Sequence, residues 1–377
     1  MNAFDAVIIG AGPSGSATAI GLARRGYAVA LIDKQNFPRE KLCGDFINPI
    51  NWCVFADLGV VGRVLAAPHG EVTGFRITDC AGREAQARLK SGDCERSIGL
   101  GLRRATLDQL LVERAAELGV VTHLGCRIEK LSRRADGWQL KIKEENCQAK
   151  VLIGADGRNS WVAQQLGLNR SAAIQGRSVG FQSRLRSTGM CQGQIQIHLF
   201  PGGYAGVVEL GDGTITLGMA IDKRRLGRER GSDFVFQALA RNRHLKEIID
   251  ANDGAPELCS VYPVYFAKRR CVTDRALLVG DAARVSEPIT GQGIYFAMRS
   301  GLLAAEAIDM ALRQKNFAVD SLARYERACR RAFRSRFALN SVLRFAVYRP
   351  ALVNSLIRLF AKNERLLDSL VATVCIP

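Results

Sequence analysis

The sequence predicts an α/β protein whose parallel sheet is interrupted by an antiparallel one and which ends in helices. Three observations predict this. A short apolar run, Asp5-Ala6-Val7-Ile8-Ile9, passes at once into Gly10-Ala11-Gly12-Pro13-Ser14-Gly15; a helical segment to Arg25 and a second apolar run, Ala28 to Ile32, ending at Asp33, follow. Two further apolar runs, Ala149 to Ile153 and Arg275 to Val279, lead into Gly154-Ala155-Asp156-Gly157 and Gly280-Asp281. Between them lies a stretch that alternates with period two, clearest in Gln194-Ile195-Gln196-Ile197-His198-Leu199, as a half-buried antiparallel strand does.

The first stretch carries chemistry as well as fold. Gly10 lets the chain turn tightly out of its strand, Gly12 lets backbone approach a pyrophosphate, and Gly15 lets the helix sit close to the sheet. The free N–H groups and positive dipole end of that helix attract phosphates. Asp33, 23 positions after Gly10, is placed to accept hydrogen bonds from ribose hydroxyls. Glycine turn, helix and acid in this register predict a dinucleotide site.

The remaining elements follow in order. Phe37 to Asp45 reads as a loop, Asn48 to Leu65 as helix broken by Gly59 and Gly62, and Glu71 to Arg88 as strand with a turn at Ala81-Gly82. Leu102 to Leu118 is helical, with Leu107, Leu110, Leu111 and Ala115 on one face and Gly119 as its stop. Strands are expected over Thr122 to Leu131, Trp138 to Glu144, Ser178 to Arg186, Gln194 to Phe200, Ala205 to Leu210 and Thr214 to Ala220. A single helix is expected over Ser232 to Asn252 and another over Ile294 to Leu312. The rest is helical, with breaks near Asn340 and Pro350.

Composition narrows the class. The 377 residues are 47% hydrophobic and 24% charged, as in an ordinary globular chain of two or three domains. No signal peptide and no bilayer-length apolar run are expected, and the cytoplasm is the default location. Eleven cysteines without C-x-x-C spacing argue against a disulfide framework and a zinc site, so no metal is assigned. The net charge of +17 comes without a nucleic-acid motif, so nucleic acid is not expected as a partner. From Ser321 to Pro377, 11 Lys and Arg stand against 3 Asp and Glu, alternating with apolar residues such as Phe333, Phe337, Leu352 and Leu359. Either these helices pack on the core with arginines in water, or they rest on anionic lipid, peripheral to the inner membrane.

Together, the fingerprint, Gly154-Ala155-Asp156-Gly157 and Gly280-Asp281 with its glycine-bracketed helix start resemble the FAD-dependent oxidoreductases of the p-hydroxybenzoate hydroxylase fold. The resemblance runs from Phe4 to about Leu312. It implies a discontinuous Rossmann-like FAD-binding domain (1–70, 100–175, 265–320), an inserted antiparallel substrate domain (71–99, 176–264) and a helical C-terminal region (321–377). It implies that Gly10, Gly12, Gly15 and Asp33 hold the ADP half of FAD, that Arg39 approaches its phosphates or ribose, and that Arg104, of an R-x-x-x-D helix start, contacts the cofactor. It ties Asp156 and Gly157 to FAD and to transient NADPH or NADH, and Asp281 to ribityl or ribose hydroxyls. In Pro288 to Gly293, with Gly291 and Gly293, backbone N–H groups at a helix start can approach the flavin edge, where reduced flavin is negative.

Within that superfamily, Phe37-Pro38-Arg39-Glu40-Lys41-Leu42-Cys43-Gly44 is similar to the segment of geranylgeranyl reductases and of oxidoreductases encoded beside type III polyketide synthases. Phe200-Pro201-Gly202-Gly203-Tyr204 resembles the middle domain of the same branch. The tryptophans stand far apart (Trp52, Trp138, Trp161), unlike the W-x-W-x-I-P motif of the halogenases. Cys43 is the candidate active-site thiol and His198 the candidate base; His69, His123 and His244 have no supporting context. The expected activity is an NAD(P)H-using monooxygenase of a hydrophobic aromatic or polyketide-like small molecule, acting through a flavin C4a-hydroperoxide. The alternatives are reduction of prenyl C=C bonds with Cys43 beside the flavin, and a flavin-binding or maturation protein without turnover.

Overall fold

The computed structural model describes residues 2–89, 98–143, 145–171, 178–226, 232–252, 257–266 and 268–376. Glu144, the expected end of one strand, lies outside them. Two sheets organise these residues. In the first, Ala276–Leu278, Glu145–Gly154, Asn2–Ile9, Val29–Ile32 and Val121–His123 lie side by side and parallel. Val7, Ile8, Leu31, Leu152 and Ile153 are almost wholly buried there, in one core shared with the helices and with Trp138, Leu140 and Ile142. Trp138–Ile142 and Ile128–Arg133 extend it as an antiparallel flap; the expected strand from Thr122 to Leu131 is thus two short ones, Val121–His123 and Ile128–Arg133.

The second sheet runs in the order Cys259–Val261, Ser178–Arg186, Thr214–Asp222, Gly203–Glu209, Gly193–Phe200, Gly70–Thr78, Gly99–Gly101, Phe46–Ile47. It is antiparallel except where Gly193–Phe200 meets Gly70–Thr78. The strand Phe46–Ile47 comes from within the stretch assigned by sequence to the nucleotide-binding half, so the two sheets are laced together at that point.

Strand alternation gives this sheet two unlike faces. Phe200, Ala205, Val207, Leu217 and Met219 pack against the helices Ser232–Leu239 and Arg243–Asp250. These are two helices where one was expected, because Asn242 breaks the chain and caps the second through Leu245 N–H. Ile195, Ile197, Leu199, Tyr204 and Val208 point the other way, toward the C-terminal helices. There Val319–Val347 runs uninterrupted through Asn340; Pro350 starts the next helix and Asn363 separates the last two, Pro350–Lys362 and Glu364–Cys375. Asn340 does not break its helix because it is buried, its amide donating to Glu287 O at 2.8 Å and to Thr290 Oγ1 at 3.0 Å.

His198 belongs to the helix-covered face, which corrects its expected role as a base. Fully buried, it pairs through Nδ1 with Thr78 Oγ1 at 2.8 Å, and that hydroxyl also meets the Asn242 amide. Burial, with the charges of His244 and Arg76 behind it, pushes its pKa down to about 3. It is a neutral packing residue. Because the unfolded chain binds a proton near pH 6.5 that the folded chain refuses until about pH 3, stability falls as pH drops through that window. His198 should contribute up to about 1.4 kcal/mol of loss per pH unit there. Urea melts at pH 7, 6, 5 and 4 should show a shallower fall for His198→Asn than for the wild type, and parallel curves would refute it.

Candidate active site

The three glycine-bearing turns meet at the carboxyl ends of adjacent parallel strands. Ala155 N–H donates to Ile9 O at 2.7 Å and Val279 N–H to Gly154 O at 2.9 Å, which sets the turns side by side. Gly10 has φ +104°, and a Cβ on it would stand 2.4 Å from Ala155 O. A Cβ on Gly15 would meet Gly10 O at 1.8 Å, so only glycine lets the helix Pro13–Ala23 start here. No side chain caps that helix, leaving its first N–H groups for a ligand. Near Gly12 the one neighbour within contact is the Arg39 guanidinium, 3.3 Å from where a Cβ would sit.

Behind this turn lies a ladder of alternating buried charges. Asp33 accepts from Ala11 N–H at 2.9 Å and Gln35 N–H at 3.0 Å. Arg39 stands 3.8 Å from Asp33 and 3.3 Å from Asp108. Asp108, at 0% exposure, also takes both Nε and Nη2 of Arg104, at 3.1 and 2.9 Å. The R-x-x-x-D spacing is therefore an i,i+4 pair at the start of the helix Arg104–Glu117. Asp108 holds the Arg104 guanidinium, and the Cys43 thiol lies close enough to feel its charge. The Arg39 Nε, next to the glycine turn, is buried and has no hydrogen-bond partner among the described residues, Asp33 lying 3.8 Å away.

The loop carrying Arg39 is pinned on its other side to the antiparallel sheet. Arg184 holds Glu40 through two bonds of 3.0 Å, and Cys43 N–H donates to Gln182 Oε1. Asp45, wholly buried and at φ +53°, ends the loop in a left-handed conformation that aspartate tolerates better than most residues. Its carboxylate accepts from Arg104 N–H at 3.0 Å, Thr216 Oγ1 at 2.8 Å and Gln182 Nε2 at 3.1 Å. Burial raises its pKa against those bonds. Burial also raises that of the Cys43 thiol, despite Arg104, so the thiol stays protonated.

The second and third turns share a brace that the sequence did not flag. Arg269, 9% exposed, donates to Ala282 O at 2.9 Å and Arg158 O at 3.0 Å. Asp281 lies at the mouth, with Arg158 3.8 Å and Lys41 3.9 Å from its carboxylate, too far to occupy it. Asp156 is differently placed from expectation. Its oxygens accept from Ser160 Oγ at 2.5 Å and Val162 N–H at 3.0 Å, so it fastens the start of the helix Trp161–Gln165 and does not face outward. Gly157 beside it adopts φ +84° with open space around it.

Pro288–Thr290 forms a single tight turn before the helix Gly293–Arg313. Gly291 has φ +62°, and a Cβ there would enter the Phe46 ring at 2.6 Å. No side chain caps the helix, and Gly293 faces open space. The C-terminal helices tie this turn down: Gln292 Nε2 donates to Val374 O at 2.8 Å, and Arg336 donates to the same carbonyl at 3.3 Å.

These features fit FAD. The glycine cradle, the uncapped helix and the unpartnered Arg39 Nε suit the phosphates, Asp33 and Asp281 offer carboxylates to hydroxyls, and the Gly293 helix start offers N–H groups to the flavin ring. Of the residues singled out by sequence, Gly10, Gly12, Gly15, Asp33, Arg39, Cys43 and Arg104 form one connected group. Gly157, Asp281, Pro288, Gly291 and Gly293 lie on the two adjoining turns, and His198 stands apart. Asp45, Gln182 and Arg269 were missed, since only the folded chain brings their partners together; the Gly44-Asp45 pair closing the loop was the one available signal.

Comparison with known proteins agrees with this geometry. The chain is 26% identical to conditioned medium factor receptor 1 of Dictyostelium discoideum over 93% of its length and 72% of that protein's. It is 27% identical to digeranylgeranylglycerophospholipid reductase 3 of Methanosphaera stadtmanae, covering 85% and 81% of the two chains. A flavoprotein/dehydrogenase from Cytophaga hutchinsonii superposes with a TM-score of 0.83 at 18% identity, over 98% of this chain and 93% of that one. PqsL of P. aeruginosa, solved with 2-aminobenzoylacetate, gives 0.78 at 20% identity, over 96% and 99%. These two likenesses show the fold. The FAD binding domain family matches residues 3–337, and with the cradle described above the chain belongs to that family as an FAD-dependent oxidoreductase.

Proposed function

We propose that this oxidoreductase is an NAD(P)H-dependent monooxygenase of a hydrophobic aromatic or polyketide-like substrate. The observation that carries the proposal is the apolar face of the antiparallel sheet. Leu199, Tyr204 and Ala220 pack with Val347, Val353 and Ile357 of the C-terminal helices and with Ile289 of the turn before Gly293. An apolar face covered by helices beside the turn Pro288–Thr290 supports a greasy organic substrate held away from water. The one glycine fingerprint of this sequence supports a nicotinamide that binds transiently, with electrons arriving from elsewhere as the alternative. FAD, when bound, carries electrons from NAD(P)H to oxygen. The protein's own part is to hold it at Gly10–Gly15, Asp33 and Arg39, to present N–H groups at Gly293, and to exclude water with the C-terminal helices.

One observation favours the second reading, reduction of a prenyl C=C bond. Cys43 is a protonated thiol held beside Arg104, able to give a proton to a carbon centre, and a relative quoted above is named as a lipid reductase. Turnover with NADPH and air, using 4-octylphenol, should add one oxygen atom to the phenol, and Cys43→Ser should keep at least about half of the rate. Anaerobic turnover of geranylgeranyl diphosphate to a product richer by two hydrogens, lost in Cys43→Ser, would replace the first reading with the second.

A lipophilic substrate suits a protein that meets a membrane surface. Among the described residues no helix is long and apolar enough to cross a bilayer. The C-terminal helices instead expose Val342 at 64%, Phe345 at 55% and Leu359 at 48%, beside the exposed Arg349, Arg358 and Arg365. We infer that this face rests on anionic lipid. In flotation, the protein should rise with phosphatidylglycerol vesicles and remain below with phosphatidylcholine ones, and Phe345→Glu should abolish the rise. Equal recovery with the two lipids would remove the inference.

A further inference from the structure

Beside the apolar cluster between the antiparallel sheet and the C-terminal helices lies an acid whose hydrogen bonding is incomplete. Glu287, 1% exposed, immediately precedes Pro288. Its Oε1 receives two hydroxyls from separate parts of the fold: Tyr204 of the antiparallel sheet at 2.7 Å and Tyr348, just past the helix Val319–Val347, at 3.2 Å. Its backbone is fixed as well, since Asn340 Nδ2 donates to Glu287 O. Oε2 is equally buried and has no hydrogen-bond partner among the described residues. Around the cluster stand Leu199, Val264, Val347, Ile289 and Ile357, none of which can supply one.

A buried carboxyl oxygen with nothing to bond is costly in either protonation state, and such atoms are rare in folded proteins. Here three segments hold the carboxyl still while leaving one of its oxygens open. The cluster also joins the turn at Pro288–Thr290 to the apolar face, where the polar end of an otherwise greasy molecule would lie next to the flavin loop. The geometry points to Glu287 as the polar anchor of the substrate compartment, its Oε2 accepting a hydroxyl of an amphiphilic substrate such as an alkylphenol, with Tyr204 and Tyr348 as positioning residues. This rests on the apolar-face reading above and adds the identity of the head group. Burial raises the pKa of Glu287, while the two tyrosine bonds and the charge of Arg344 lower it and favour the carboxylate that accepts.

Titration of the FAD-loaded protein with 4-octylphenol and with octylbenzene, read by the flavin absorbance spectrum, tests this. The wild type should bind the phenol about tenfold more tightly, the worth of one good hydrogen bond. Glu287→Leu should bind both alike, with octylbenzene affinity unchanged. Should that variant fail to hold FAD, Glu287→Gln, which puts an NH2 where an acceptor stood, is compared with the wild type using 4-octylphenol and its methyl ether. The wild type should prefer the phenol and the variant should not. Equal affinities in the wild type, or a preference that survives either substitution, overturn the anchor while leaving the apolar-face reading standing. Failure of both octyl compounds to perturb the flavin overturns both.

Discussion

The structure depends on one buried arrangement of charge, the run Asp33–Arg39–Asp108–Arg104 with Asp45 at its far end. Its members come from two stretches distant in sequence, Asp33 to Asp45 and the start of the helix Arg104–Glu117. Charges taken this far from water persist only when each meets an opposite one and its hydrogen bonds are filled. That requirement fixes the loop from Arg39 to Asp45 relative to the glycine turn. Through Glu40, Cys43 and Asp45, the same loop is fastened to Arg184, Gln182 and Thr216 of the antiparallel sheet. The cofactor cradle and the antiparallel sheet are thus held in register by one short segment.

Chemistry follows from the unlike faces of the second sheet. The face bearing His198 is sealed by two helices and contributes stability. The face bearing Ile195, Leu199 and Tyr204 is closed by the C-terminal helices, which also grip the flavin loop through Gln292 and Asn340. The basic C-terminal segment is therefore not an appendage. It covers the apolar face of the sheet with one side and presents exposed apolar and cationic residues with the other.

The sequence made the fold legible where function imposes a local pattern. Glycine spacing, strand and acid from Phe4 to Asp33 needed no tertiary knowledge, and the Gly154 and Gly280 turns were visible for the same reason. Period-two alternation located the antiparallel strands, but it could not say which side of Gly193–Phe200 would face the C-terminal helices. His198 was misread on that account: a polar residue on a strand is as readily buried with its own hydrogen-bond partner, here Thr78, as placed in a site. Arg104 and Asp156 were recognised from their motifs, but their partners in the protein, Asp108 for one and Ser160 and Val162 N–H for the other, were not, since a motif marks a residue and not its neighbours. Glu287 has no local signature, because its partners lie 83 and 61 positions away. Asn340 looked like a helix break because its type disfavours helix interiors, whereas burial and two hydrogen bonds outweigh that preference.

Asp108 is the member of the charge run shared by both arginines, so its replacement tests the account most directly. Urea unfolding of the FAD-loaded Asp108→Asn protein should show a loss of about 3–5 kcal/mol relative to wild type, the cost of leaving buried arginines without their carboxylate. A loss below about 1 kcal/mol, the size expected of a surface pair, would contradict the claim that this run of charges holds the two halves of the site together.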